Sequence, residues 1–393
     1  MKDSIGLYID NISQQLHAMS DDIFDHPEIG EQEFRTSKTI TSFLESQGFS
    51  VEMGVGGMET AFRATYANGD GGPSIGFLCE YDAINGRGHI CGHHTEGPGI
   101  CGAVIALKAQ LKELPYKLVV YGTPAEETIS GKVIMLNNGC FRDIDVALQM
   151  HPDAETSVDI HSMALSNCQV TFHGKSAHAA AAPDQGRSAL DALLLCFQGV
   201  EFLREHVPDD VRMHYTISNS GGPANVVPET ASGEFSLRSY SMQELQQVIE
   251  RFYDIVKGAA LMTQTTYDIL PTKSLKNRVA VPLLNEAVMK NAAYFGARDI
   301  CPPREKTGSN DFNDVSYFVP GICLRIAFIP LHSASPHSAA FYNAGKSEGA
   351  HFAVSCGAKI LAGTAYDLIS DPSLLAAIKQ EFEINKGKSV SLS

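Results

Sequence analysis

Thiol, imidazole and carboxyl groups crowd into one stretch of the chain, Phe77–Gly102, which reads FLCEYDAINGRGHICGHHTEGPGICG. Glu80, Asp82, His89, Cys91, His93 and His94 fall there in a Gly-rich segment, directly after the apolar run Ser74–Leu78, which has the character of a buried strand. A lone His or Cys in a loop is commonly structural. Cys91 and His93 together point further, because thiolate and imidazole are the ligands that borderline-soft divalent ions prefer. The stretch reads as half of a metal site, so the other ligands must come from elsewhere.

Three later segments offer them. The strand-like run Lys117–Tyr121 leads into Gly122-Thr123-Pro124-Ala125-Glu126-Glu127. On extended backbone two adjacent acids point to opposite faces, and such a pair is ordinarily solvated. Beside a metal loop, one carboxylate can bind an ion while its neighbour takes a proton from activated water. The run Val146–Met150 ends in His151-Pro152, and the strand-like run Ile322–Phe328 is followed by Leu331-His332-Ser333-Ala334-Ser335-Pro336-His337-Ser338. Open α/β sheets place their sites where several strand ends meet.

The elements that must position these groups follow from periodicity. Ser4 to Gly48 reads as helix interrupted at His26-Pro27-Glu28; strands are expected at Thr60–Tyr66 and Ser74–Leu78, and a helix at Ile100–Leu111. From about Met163 to Thr272 the order is strand (Cys168–His173), helix (Ser188–His206), strands (Met213–Ser218, Gly233–Leu237), helix (Met242–Leu261) and strand (Thr265–Ile269). That is the β-α-β-β-α-β order of a ferredoxin-like unit. A helix at Pro282–Phe295, the strand at Ile322–Phe328 and a helix at Lys346–Leu368 return to the first texture. The expected class is α/β: a catalytic domain with a mixed central sheet flanked by helices, in two parts (1–163 and 276–393), with an inserted ferredoxin-like α+β lid (164–275).

Length and composition agree with that plan. At ~150 residues per domain, 393 residues suggest two or three. A net charge of -15 argues against a nucleic-acid partner, which calls for a basic patch. The nine Cys show no C-x-x-C pair, the chain opens on a polar helix pattern with no secretory apolar core, and no apolar run approaches the ~18 residues of a membrane span. A cytoplasmic protein with no membrane partner is expected.

CEYDA, GHICGHH, PAEE, MHP, GKSAHAA, ANVVPE, TGSNDFNDVS and PHSAAF occur in that order, after HPEIGEQEF at His26. Together they resemble the di-metal peptidase family of aminoacylases, glutamate carboxypeptidase and auxin-conjugate amidohydrolases (metallopeptidase family twenty), and within it the p-aminobenzoyl-glutamate hydrolase and aminoacylase-like dipeptidase subgroup. The resemblance spans nearly the whole chain. It implies a lid that makes a homodimer and two divalent ions per protomer, drawn from zinc, manganese, cobalt and nickel. Cys91 would bridge the ions, His93 and His151 would complete one, and Glu127 and His337 the other. Asp82 would orient a ligand, Glu126 would be the general base, and His178 would donate to the substrate carbonyl oxygen. Asn225 and Arg238 would hold a substrate carboxylate, with Gly308, Ser309 and Asn310 lining the pocket.

The chain departs from the family pattern at two residues and in the loop Ala83-Ile84-Asn85-Gly86, which lacks the usual Leu-Pro. His94 stands where relatives carry Asp or Asn, which would make it an extra ligand or alter the field beside the ions, and Glu80 stands where one branch has Asp. The implied activity is hydrolysis of a small-molecule amide: an N-acyl or N-aroyl amino acid, or a dipeptide-like substrate. Alternatives are a deaminase using the same activated water, a hydrolase with Cys91 as nucleophile and His93 as base, and a silent binding protein.

Overall fold

Strands buried on both faces read as near-continuous apolar runs, and four mostly apolar strands form the heart of the larger sheet. The structure, a computed structural model, describes residues 1–391. The chain divides into one unit formed by Met1–His161 and Arg278–Gly387 and another built from Ser162–Asn277.

In the first unit the order begins with α1 (Lys2–Asp25), α2 (Phe34–Ser46), β1 (Ser50–Met53), β2 (Phe62–Asn68), β3 (Ser74–Cys79), α3 (Glu96–Gln110), β4 (Tyr116–Gly122), α4 (Glu126–Ile129), α5 (Gly131–Asn137), β5 (Val146–Asp153) and β6 (Ser157–Val158). The second unit supplies β7 (Ala164–His173), α6 (Ala189–Arg204), β8 (Arg212–Asn219), β9 (Thr230–Ser239), α7 (Met242–Thr263) and β10 (Thr266–Leu275). The first unit then resumes with α8 (Pro282–Tyr294), α9 (Phe312–Val315), β11 (Gly321–Ala327), α10 (Ala339–Asn343) and α11 (Glu348–Ser370); α12 (Pro372–Ser391) follows.

The larger sheet has the order β1-β2-β4-β3-β5-β11-β6. β4, β3, β5 and β11 run parallel, while β2 and β6 run opposite to them at the flanks and β1 pairs antiparallel with β2 at the outer edge. The four parallel strands therefore end on one side, and their C-terminal ends deliver the loops after Cys79, Gly122, Asp153 and Ala327. Helix α3 is buried continuously from Glu96 to Leu107. An apolar surface on every side suits a helix enclosed by others, and α3 packs against both α1 and α11. Among the described residues α11 is the one helix long and apolar enough to cross a bilayer, yet 72% of its most apolar window is buried within the fold.

The second unit is a four-stranded antiparallel sheet, order β10-β7-β9-β8, with α6 and α7 packed on it. Its core gathers Cys168, Val170, Phe172, Phe197, Phe235 and Phe252. Leu165 of β7 pairs with Leu275 of β10, so the unit begins and ends on neighbouring strands.

Three local expectations change. The short strand β1 went unread because its burial shows no alternation, three of its four residues being exposed. Strand β5 continues to Asp153, which places His151 inside the strand rather than beyond it. Glu126 and Glu127 leave the strand altogether: Ala125 turns left-handed (φ 60°, ψ 38°) and the two acids open a helical turn, so the opposite-face rule for extended chain does not apply.

Candidate metal centre

Cys91 and His93 reach one point because of the glycine between them. Gly92 has φ 90° and ψ 8°, and a Cβ there would lie 2.4 Å from Pro152 Cγ. Only glycine holds that conformation at that approach without strain. The backbone N–H of His337 donates to the Ile90 carbonyl (3.0 Å), which ties the loop after β11 to the Cys91 loop.

Two groups of ligand atoms converge, each within 4.8 Å of one another, and both contain Cys91: one adds His93 and His151, the other Glu127 and His337. Cys91 Sγ is 3.4 Å from His151 Nε2, and His337 Nε2 is 3.1 Å from Glu127 Oε1. His151 Nδ1 donates to the Pro152 carbonyl (2.8 Å), leaving the Nε2 lone pair toward the thiol. Asp82 spans both groups: Oδ1 is 3.1 Å from His93 Nδ1, and Oδ2 accepts from the Glu127 N–H (3.0 Å). With Nδ1 held by Asp82, His93 presents Nε2, a fully buried atom that faces Glu80 Oε2 at 3.2 Å without a well-aligned hydrogen bond. Such an atom, set among a thiol, a second imidazole and carboxyl groups, suits a divalent ion.

Behind the candidate ligands lies a layer of charge of which sequence reading had singled out only Glu80. Lys132 is fully buried, and its Nζ bonds both Glu80 Oε1 and Asp311 Oδ1, while its N–H donates to Asp311 Oδ2 (3.0 Å). Glu80 Oε2 faces His93 Nε2 at 3.2 Å. Glu96, also buried, accepts from the Glu80 N–H (3.0 Å). Glu80, His93, Glu96 and His151 form a further convergent group.

Charge and burial oppose each other throughout. Burial pushes the Cys91 thiol up, with His93 working against it. Burial also resists a charge on His93, but the Cys91 sulfur, Asp82 and Glu80 outweigh it and hold the imidazole well above its usual range. For Glu127, desolvation is overcome by the His337 hydrogen bond and by His93, holding the carboxyl down to about 2. Glu126 is pushed well up by burial and by Glu80 and Asp311, while Lys132 pulls it back.

His94 is not part of this cluster. Its Nε2 meets the Gly345 carbonyl at 2.8 Å and its ring packs edge-on against Phe24, so it supplies no ligand atom to either group, while it still interacts electrostatically with His93. His178 and Asn225 belong to the second unit, where a small ladder joins their loops: His178 bridges Val226, and the Ala179 N–H donates to the Asn225 carbonyl (3.0 Å). Arg238, half-buried on β9, pairs with Leu165 of β7 and Arg212 of β8. Gly308 and Ser309 fall in the segment leading to α9, where Asn310 Oδ1 accepts from the Phe312 N–H (2.6 Å).

Comparison with known proteins adds the following. Residues 161–262 match the peptidase dimerisation domain of the M20 family. The chain is 33% identical over 391 residues to the Xaa-Arg dipeptidase of Mus musculus, covering 95% of this chain and 90% of that one. It is 37% identical over 305 residues to one of the component chains of the p-aminobenzoyl-glutamate hydrolase of Escherichia coli, covering 72% and 63%. Among solved structures, a dinuclear metal binding M20 peptidase of Bacillus subtilis aligns with a TM-score of 0.71 at 18% identity over 92% of this chain and 99% of that one. The aminobenzoyl-glutamate utilization protein of Klebsiella pneumoniae aligns with a TM-score of 0.70 at 20% identity, covering 92% and 97%.

Proposed function

Because this chain belongs to the M20 peptidase family, we propose that it is a metal-dependent amidohydrolase cleaving an N-acyl or N-aroyl amino acid or a dipeptide-like amide. The observation that carries this reading is the sharing of Cys91 by two ligand groups, one with His93 and His151 and the other with Glu127 and His337. These residues would hold two divalent ions, and the mix of sulfur, nitrogen and oxygen donors admits zinc, manganese, cobalt or nickel. When bound, such a pair lowers the pKa of water from ~16 toward ~7 and offers positive charge to an amide oxygen.

The chain's own groups do the rest. Glu126 starts the helical turn that also carries Glu127, so it stands beside the candidate ligands. Bound cations there would offset the burial that raises the Glu126 carboxyl, leaving a carboxylate to take the water's proton and return it to the leaving nitrogen. Asp82 fixes the His93 tautomer and anchors the Glu127 backbone. His178 Nδ1 accepts from the N–H groups of Ala180 (3.2 Å) and Ala181 (3.1 Å), which leaves its proton on Nε2. The exposed ring is thereby a donor suited to charge developing on a carbonyl oxygen. Asn225 and the forked guanidinium of Arg238 would hold the substrate carboxylate, and Gly308 and Ser309 would line the pocket.

The second unit would join two copies. Strand β8 is a sheet edge with Tyr215 and Ile217 exposed, and α6 exposes Leu194 and Phe202. An unpaired edge with apolar neighbours suits an isologous homodimer. Cytoplasmic residence is the setting that fits nine cysteines without a disulfide.

The test is metal analysis of the purified protein together with a panel of N-acyl, N-aroyl and dipeptide amides, including Xaa-Arg dipeptides and p-aminobenzoyl-glutamate. Two ions per chain and turnover abolished by chelation are expected. Glu126→Gln should keep both ions while kcat falls by ~10²–10⁴-fold. Full activity after chelation, or in that variant, would overturn the assignment.

A further inference from the structure

The motif HPEIGEQEF contributes no ligand, yet its Glu33 is fully buried. We propose that Glu33 is a positioning residue for Glu126, acting through the backbone of Ala125; this rests on the reading of Glu126 as general base.

Ala125 has φ 60° and ψ 38°, a left-handed conformation that residues with a Cβ rarely adopt. It converts the end of β4 into the helical turn that opens on Glu126, so the direction of that carboxyl group depends on it, whereas Glu127 is held separately by Asp82 (3.0 Å) and His337 (3.1 Å). Three contacts hold Ala125 there. Its N–H donates to Glu33 Oε1 (2.8 Å), and its carbonyl accepts from the Gly131 N–H (3.3 Å). Gly30 packs so closely that a Cβ there would lie 3.0 Å from Ala125 Cα and 2.4 Å from Thr128 Oγ1.

Glu33 is fixed in turn. Its Oε2 accepts from the Thr60 hydroxyl (2.8 Å), and the Thr60 carbonyl accepts from the Tyr81 hydroxyl (2.7 Å). Tyr81 lies between Glu80 and Asp82 in the chain, so the relay Tyr81, Thr60, Glu33, Ala125 ties the loop after β3 to the loop after β4. All four residues are buried. A carboxyl group with one oxygen on a backbone N–H and the other on a hydroxyl sets the angle of a strained peptide without touching substrate or ion. An amide side chain can make the same two bonds, so shape rather than charge is what the position requires.

The experiment compares Glu33→Ala, Glu33→Gln and Glu33→Ala combined with Ala125→Gly in the metal-loaded enzyme, reading kcat, KM and ions per chain. Glu33→Ala should lower kcat by ~10- to 100-fold, the cost of a small misplacement of a catalytic group, with KM and metal content unchanged. Glu33→Gln should stay within a few fold of the parent. Ala125→Gly in the Glu33→Ala background should restore most of the lost kcat, since glycine holds a positive φ without help. If Glu33→Ala fails to fold, Thr60→Val takes its place, with a smaller loss again relieved by Ala125→Gly.

Unchanged kcat in Glu33→Ala, a loss that Ala125→Gly does not relieve, or a loss that tracks departing metal would each overturn the proposal. Glu126→Gln measured alongside separates the two readings. If that variant turns over normally the general-base assignment fails, whereas if only the Glu33 series is silent the positioning role alone fails.

Discussion

At the scale of single residues, charge buried behind the ligands matters as much as the ligands themselves. Removing one member of a buried ion pair leaves its partners uncompensated and typically costs ~3–5 kcal/mol. Lys132→Met, which strands Glu80 and Asp311, should lower the unfolding free energy by about that amount in urea titrations of the metal-loaded protein. Asp82→Asn should act on the ions instead, weakening their retention against a chelator by ~10–100-fold, because Asp82 holds the distal nitrogen of His93. Asp159 sets a pH limit. Burial resists its ionisation, but Arg325, Arg278 and Arg304 hold it down to about 2. A folded carboxyl below its unfolded pKa adds stability that is present above ~4 and lost as pH falls from there toward 2, here on the order of 2 kcal/mol. Asp159→Asn should flatten denaturation curves across that window. The candidate ligands stood out in the sequence because Cys, His and paired acids are conspicuous after apolar runs, and the fold brings these groups together. Lys132 and Glu96 were not, since a charge in a short polar-apolar stretch reads as solvated surface until the fold encloses it.

At the scale of elements, the site is a product of where strands stop and how the next turn begins. The parallel strands β3, β4, β5 and β11 were readable as mostly apolar runs, broken by Lys117 in β4, Gln149 in β5 and Arg325 in β11, and their shared direction makes their ends meet. The turns were less readable: nothing in the order of residues announces that Ala125 turns left-handed or that Pro152 presses on Gly92. Gly92→Ala therefore makes a sharp test. The added Cβ must push Pro152 or rotate the loop, so Cys91 and His93 cannot both keep their direction. Metal analysis should find fewer than two ions per chain, and thermal melting should shift downward.

At the scale of the whole molecule, every proposed ligand lies in the discontinuous first unit, while the residues assigned to the substrate carbonyl and carboxylate lie in the second. Replacing residues 164–275 with a short Gly-Ser linker should leave a protein that folds and takes up two ions but no longer turns over amides. Gel filtration with light scattering should show it as a monomer and the full chain as a dimer. The ferredoxin-like order of the second unit was legible from alternation and turn signals because its sheet has one covered face.

The insertion also has a bearing on descent. Because Leu165 and Leu275 face each other across one ladder, the segment departs from its host and comes back at a single spot. Genetic exchange at that spot could trade one cap for another without disturbing the host's strand order. Lineages built on the same hydrolytic base could thus diverge in diet and in assembly by swapping a cassette, rather than by rebuilding the chemistry beneath it.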